Sequence, residues 1–347
     1  MRAARRRGLL AALTGTVLML SAAPAAADPA GPTHYDSIVT GVEPGDVPVS
    51  VEILGGDAFL VLHVEPGVTA EVPGYEGEPY LRFEANGNVL VNERSPARWF
   101  NDARYGELEV DLPPHADADA EPVFTLVADD GTYAWHDHRI HFMSPSLPPQ
   151  VDPTAGSVQA VTDWRVPIVV DGESVEILGE LRWVPGPSPL YTGLLIAVAL
   201  AGAALVVARR PTATPVVAAV AGVIALGVGV SEVAGLPAGT DAQPMLVVLP
   251  AMALGLLLFG WLLTRRGGSA DVRGPMIAAT AGIPVLVWGI LHLATLWRPI
   301  VPGPLPIGVA RIAVVLALAA GASAIGSLVR AVLAATSLDA PEDRATI

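Results

Sequence analysis

The two halves of this chain cannot share one solvent. From Tyr191 onward, apolar stretches at about 191–208, 214–235, 244–264, 275–297 and 306–334 follow one another with few charges between them. Each is long enough to cross a hydrocarbon layer of about 30 Å as a helix. Residues 28–189 are the opposite, with 28 Asp and Glu against 7 Arg, a net charge of −21. A soluble acidic domain fused to a membrane domain satisfies both halves.

The charges between the apolar stretches orient the chain. Arg209 and Arg210 follow the first stretch, Arg265, Arg266 and Arg273 separate the third from the fourth, and Arg330 closes the fifth. If residues 28–189 lie outside the cell, every one of these clusters falls inside, as the positive-inside rule requires. The N-terminus gives the same orientation. Arg2, Arg5, Arg6 and Arg7 precede the apolar run Leu9 to Leu20, and Ala25-Ala26-Ala27 offers a cleavage site before Asp28. The expected organisation is a signal peptide over 1–27, an extracytoplasmic domain over 28–189, a five-helix transmembrane domain over 190–335 and a cytoplasmic tail over 336–347. Such a protein sits in the plasma membrane as a multi-pass protein with the lipid bilayer as its first partner.

Composition removes several kinds of chemistry. The 347 residues include no cysteine, which excludes disulfides, thiolate metal sites and cysteine nucleophiles. All 20 basic residues are Arg, so no Schiff-base or phosphate-loop lysine exists. A domain this acidic is a poor partner for nucleic acid. No H-E-x-x-H, G-x-S-x-G or lysine-ended phosphate loop occurs, and no carboxylate pair stands out, so the chain reads as a non-enzyme.

The acidic domain reads as all-β. Short Val/Ile-rich or alternating runs recur at Val47–Leu54, Phe59–Val64, Tyr80–Ala85, Val89–Asn92, Val123–Ala128, Thr132–His136, Val166–Val170 and Val175–Trp183. Asn86-Gly87, Asp130-Gly131 and Asp171-Gly172 supply the positive φ angles of tight turns. About eight strands in this length predict a sandwich of the immunoglobulin or cupredoxin kind. The Pro- and Gly-rich segment Val184–Pro189 is a short linker that holds the sandwich close to the membrane.

One constellation carries chemistry: Tyr133-Ala134-Trp135-His136-Asp137-His138-Arg139-Ile140-His141-Phe142-Met143. Imidazole nitrogen with thioether sulfur suits copper in an oxidising compartment, with zinc as the rival ion. The apolar pairs Tyr133/Trp135 and Ile140/Phe142 have opposite parity, so a bulge is expected between them. It would bring His136, His141 and Met143 to one side, with His138 beside the bulge and Asp137 orienting an imidazole N–H. An ion pair between Asp137 and Arg139 that braces the bulge, with structural histidines around it, fits the same residues. His34, His63 and His115 are more distant donors. The spacing His136-x-His138-x-x-His141 is similar to the metallo-β-lactamase motif, but Ile140 stands where that motif has aspartate.

Other segments are less specific. Gly74–Arg82 puts two tyrosines and two glutamates in a Gly/Pro-bounded loop, either for recognition or for packing. Ser95–Phe100 presents aromatics and Arg to the membrane interface or the helices. In the membrane half, Glu232, His292 and Arg311 form a candidate polar cluster near the outer side. Pro284 can kink the fourth stretch, and Gly222, Gly227, Gly229, Ala317, Gly321 and Gly326 permit close helix packing.

Gly74–Arg82, Trp135–Met143 and Asp163-Trp164-Arg165-Val166-Pro167 resemble segments of a family of uncharacterised actinobacterial membrane proteins. That resemblance implies a secreted β-domain with C-terminal helices and no particular activity. In architecture the chain is also similar to copper-resistance proteins of the CopC/CopD kind, which implies copper held near a membrane partner. The expected function is copper capture or hand-off at the envelope, working with an envelope or metal-transport protein. The alternative is a non-catalytic interaction or scaffold protein.

Overall fold

The computed structural model describes residues 30–105, 110–237, 244–267 and 273–337. The expected signal peptide lies outside them, as does the tail beyond Ser337.

Among the described residues, ten strands build the N-terminal domain: β1 (Tyr35–Glu43), β2 (Val49–Leu54), β3 (Phe59–Val64), β4 (Ala70–Pro73), β5 (Pro79–Phe83), β6 (Val89–Asn92), β7 (Phe124–Ala128), β8 (Thr132–Trp135), β9 (Gln159–Val170) and β10 (Glu173–Trp183). They form a seven-stranded antiparallel sheet, β1-β10-β9-β4-β5-β6-β7, and a three-stranded sheet, β2-β3-β8. Leu60 and Leu62 of the small sheet share one core with Phe83, Val91, Ile168, Ile177 and Leu181 of the large one. The period-2 pattern explains the layering. Along β10, Val175, Ile177, Gly179, Leu181 and Trp183 are buried while the residues that alternate with them are not. In β9 a register shift opposite Leu181/Arg182 resets the parity, so Val161 and Trp164 are both buried. Asp171 (φ +47°) and Gly172 (φ +84°) join β9 to β10 in a two-residue turn that demands positive φ at both positions.

Eight strands match the predicted runs. The two that do not, β1 and β4, are a strand with little burial contrast and a four-residue segment. Ser95–Phe100 is partly folded into the β domain. It contains a short helix, α1 (Pro96–Phe100), whose Trp99 Nε1 donates to Glu93 O at 3.0 Å within the β domain.

Beyond the linker come α2 (Pro189–Arg209), α3 (Thr214–Ala234), α4 (Met245–Gly267), α5 (Arg273–Thr280), α6 (Gly282–Leu291) and α7 (Ile307–Ser337). Among the described residues, four of these, α2, α3, α4 and α7, are long and apolar enough to cross a membrane. The fifth apolar stretch, 275–297, contributes only a shorter apolar helical segment, Met276–Leu291. That stretch is divided into α5, α6 and a 3₁₀ turn over Leu293–Leu296. Pro284 has no N–H for the Thr280 carbonyl and its ring collides with it, so the helix ends at Thr280. The central helix α7 packs against α2, α3 and α6. A Cβ at Gly229 would lie 2.1 Å from Leu246 O and one at Gly321 2.3 Å from Leu286 Cβ, so both glycines serve close packing. Gly227 faces open space instead.

The two domains meet at the segment between α6 and α7. Thr33 and Ile300 exchange backbone hydrogen bonds of 2.9 and 3.2 Å, and Arg298 Nη1 donates to Pro32 O at 2.6 Å. Gly56 (φ +81°) is wedged into this junction. A Cβ there would lie 2.8 Å from Tyr35 O and 3.1 Å from the Ile300 side chain. The loop after β2 therefore passes directly from the junction to the next feature, the carbonyl of Ala58.

Candidate metal centre

Strand β8 stops at Trp135, and the expected bulge within a continuing strand is corrected to a turn. Asp137, in an extended conformation, caps a 3₁₀ turn over His138–Ile140 by accepting from Arg139 N at 3.0 Å. The turn drives Ile140 into the core at 0% exposure and folds His141 back over His136. The ring centroids are 4.5 Å apart for His136–His141, 5.4 Å for His136–His138 and 5.3 Å for His138–His141. Among the described residues these three histidines form a group that can hold a metal ion, with one ring nitrogen from each within 4.8 Å of the others.

The hydrogen bonds fix the proton positions. His136 Nδ1 lies 2.6 Å from Ala58 O, and His138 Nε2 lies 2.9 Å from Ala103 O. His141 Nδ1 lies 3.3 Å from Phe142 O. A carbonyl accepts only, so each of these nitrogens carries the N–H and the other nitrogen of each ring presents a lone pair. Two of those lone-pair nitrogens, His136 Nε2 and His141 Nε2, are buried with no hydrogen-bond partner. Three imidazoles, each donating outward to a backbone carbonyl, match the arrangement in which outer partners orient metal ligands.

The outer carbonyls are tied to each other. Asp57 and Arg104, the neighbours of Ala58 and Ala103, form an ion pair across the site. This links the loop from the domain junction to the segment after α1.

Charge state agrees with geometry. Burial lowers the pKa of His136 to about 4, against the hydrogen bond to Ala58 that favours the proton. Burial, then His136 and Arg104, lowers His141 to about 2. Burial also lowers His138. All three are neutral near pH 7, the form that binds metals. Below the ordinary value of 6.5 the unfolded chain takes up protons that the folded site refuses. Stability is therefore complete above that value and is lost at about 1.4 kcal/mol per pH unit per histidine as pH falls towards the folded values. Denaturant unfolding followed by tryptophan fluorescence should show this slope between about pH 6.5 and 4.5. A His136→Gln/His141→Gln variant with the same slope contradicts it.

The expected roles of two neighbours change. Asp137 does not orient an imidazole. It is 0% exposed, with Arg139 Nε and Nη2 at 2.8 and 2.7 Å and Trp135 Nε1 donating at 2.7 Å. Burial alone would raise its carboxyl, but the Arg139 guanidinium beside it holds it below the usual carboxylate range. Met143 is 38% exposed, whereas His141 is 5% exposed, so the thioether is not buried with the imidazoles.

Tyr75, from the Gly74–Arg82 loop, belongs to the site as packing. Its ring stacks on His138 at 5.5 Å, and its hydroxyl accepts from His138 N at 2.9 Å and donates to Asn101. Glu78 braces the same loop by accepting from Ser95 Oγ and Glu76 N. Sequence reasoning missed Ala58, Ala103 and Arg104. The first two act through carbonyls that every residue type carries, so no signal existed. His34 stacks on Trp183, His63 bonds Thr132 and His115 packs on Trp99, each with its own partner. In the helices, Glu232 and His292 meet at 3.3 Å. Arg311 instead donates to Thr295 O and Arg298 O.

No family model matches this chain, and neither the curated proteins nor the solved structures contain a significant match to it.

Proposed function

We propose that the β domain is an imidazole metal module held at the outer face of a membrane, where it captures a borderline transition-metal ion, copper first and zinc second. The observation that carries this reading is the pair of buried, partnerless nitrogens on His136 and His141. An imidazole kept in one structural pose does not need to leave its second nitrogen dry and unpaired, which costs about 1–3 kcal/mol. Two of them, in a group of three histidines whose ring nitrogens lie within 4.8 Å of one another, make sense when a cation receives the lone pairs.

The donor set is three neutral imidazoles at His136 Nε2, His138 Nδ1 and His141 Nε2. Copper(II) binds such nitrogen sites most tightly among the divalent first-row ions, followed by zinc in a tetrahedral geometry that leaves one position open. An open position is what capture and release need. The ion supplies Lewis acidity. The chain's own residues hold the ligands: the carbonyls of Ala58, Ala103 and Phe142 orient the three rings, Tyr75 stacks on His138, and burial keeps all three free of protons.

Equilibrium dialysis of the full chain in detergent against Cu(II), reductant-maintained Cu(I) and Zn(II) tests the reading. One equivalent should be held by this site and be lost in His136→Ala/His138→Ala/His141→Ala. Equal metal content in the two proteins would leave the histidines structural and favour the scaffold function.

A further inference from the structure

The helices cover one another unevenly. Of the four long ones, α2 is the barest: 11% of its apolar stretch is buried, against 39% for α3 and 44% for α7. It packs chiefly on α7. Towards the end far from the β domain, these two helices leave between them an apolar groove of about 440 Å³, the size of an ordinary ligand pocket. Leu200, Ala204 and Val207 of α2 form one wall, Ala322 and Gly326 of α7 the other, and Arg330 closes the end. A Cβ on Gly326 would lie 3.2 Å from the Val207 side chain, which sets the depth of the groove. Residues 200–208 rise about 12 Å along α2, most of the hydrocarbon depth of one leaflet.

The closed end is positive. Arg330 Nη1 donates to the carbonyls of Val207 and Ala208, which places the guanidinium beside the last turn of α2. Arg209 and Arg210, the next two residues, are exposed there. Thr214 Oγ1 and Ser327 Oγ lie 2.9 Å apart, so the start of α3 is held to α7 one turn before Arg330. Three guanidinium groups therefore share one level of the helices. Among the described residues of the helical domain the one carboxylate is Glu232, in the last turn of α3 and so at the opposite end.

We infer that this groove binds an anionic phospholipid of the leaflet away from the β domain. One acyl chain fills the apolar groove, and the headgroup phosphate meets Arg330, Arg209 and Arg210. Charge complementarity selects this occupant. Basic pockets between transmembrane helices take up anionic headgroups, and a guanidinium fork matches two phosphate oxygens. A second copy of the chain seated here would set its own arginines against these. The segment after Ser337 has carboxylates for the arginines but no apolar run long enough to fill the groove. Because α2 leads directly out of the linker, the lipid steadies the helix that tethers the β domain.

Native mass spectrometry of the full chain in a non-ionic detergent, with equal amounts of phosphatidylglycerol and phosphatidylcholine of the same acyl chains, tests this. The wild type should carry one phosphatidylglycerol with at least about tenfold preference over phosphatidylcholine. Arg209→Gln/Arg210→Gln/Arg330→Gln should bring the two lipids to equal occupancy. Ala204→Phe fills the groove from an exposed position and keeps every charge. It should remove the bound lipid even if the arginine variant fails to fold. Equal adducts of both lipids in the wild type, or a preference that either variant leaves intact, overturns the inference. So does a dimer that Ala204→Phe separates, which puts a second copy in the groove. A lipid adduct that appears only when the chain is ended at Ser337 overturns it too, by putting the tail there.

Discussion

Replacing Asp137 by Ala is expected to destabilise the β domain by about 3–5 kcal/mol, more than any single histidine change. Removing one partner of a buried ion pair strands the other charge. Here the stranded group is the Arg139 guanidinium, 18% exposed, which turns two nitrogens to the carboxylate. Trp135 Nε1 loses its acceptor in the same step, and the turn loses its cap. The uncharged pair Asp137→Leu/Arg139→Met should recover most of the loss, because apolar replacement of a whole buried pair is often neutral. Urea unfolding of the full chain in detergent, read by tryptophan fluorescence, measures both. A loss below about 1 kcal/mol for Asp137→Ala would mean that the turn does not depend on this pair.

Loss of His136 and His141 is expected to act on metal binding rather than on folding. Each side chain removes a ligand, which costs more than the 10–100-fold typical of losing an outer partner. The double variant His136→Ala/His141→Ala should therefore bind copper at least 1,000-fold more weakly than wild type. Metal should also stop stabilising the fold. At a free ion concentration 100-fold above the dissociation constant, the wild type gains about 2.7 kcal/mol, and the variant should gain none. In acid the same variant should be the less pH-sensitive protein, since the two histidines whose pKa values are lowered to about 4 and about 2 are gone. Retained metal-dependent stabilisation in the variant would contradict the assignment.

How much of this was legible beforehand depended on whether the signal was local. The β9–β10 hairpin could be read because Asp171-Gly172 is a two-residue turn signature between alternating strands. Strand β1 could not be read, because its place beside β10 is set by pairing across more than a hundred residues, not by its own pattern. The apolar stretch at 275–297 had the length of a span, and Pro284 was visible in it. That the proline would divide the helix at Thr280 was decided by backbone sterics which hydropathy does not carry. At the candidate site the three histidines were legible as donors, and the parity conflict around them showed that a regular strand could not continue. The device that resolves the conflict is an Asp137-capped turn rather than the bulge that parity alone suggests. The sequence separation of Ala58 and Ala103 from the histidines hid the carbonyls that orient two of the rings.

The central claim is that one ion is held by three imidazoles of the β domain. The most direct measurement is the X-ray absorption spectrum of the full chain in detergent loaded with half an equivalent of copper(II), then repeated with zinc. Three nitrogen neighbours at about 2.0–2.1 Å with imidazole scattering, lost in His136→Ala/His141→Ala, is the predicted result. An oxygen-only shell, or a spectrum with a single imidazole that the double variant leaves unchanged, would contradict it.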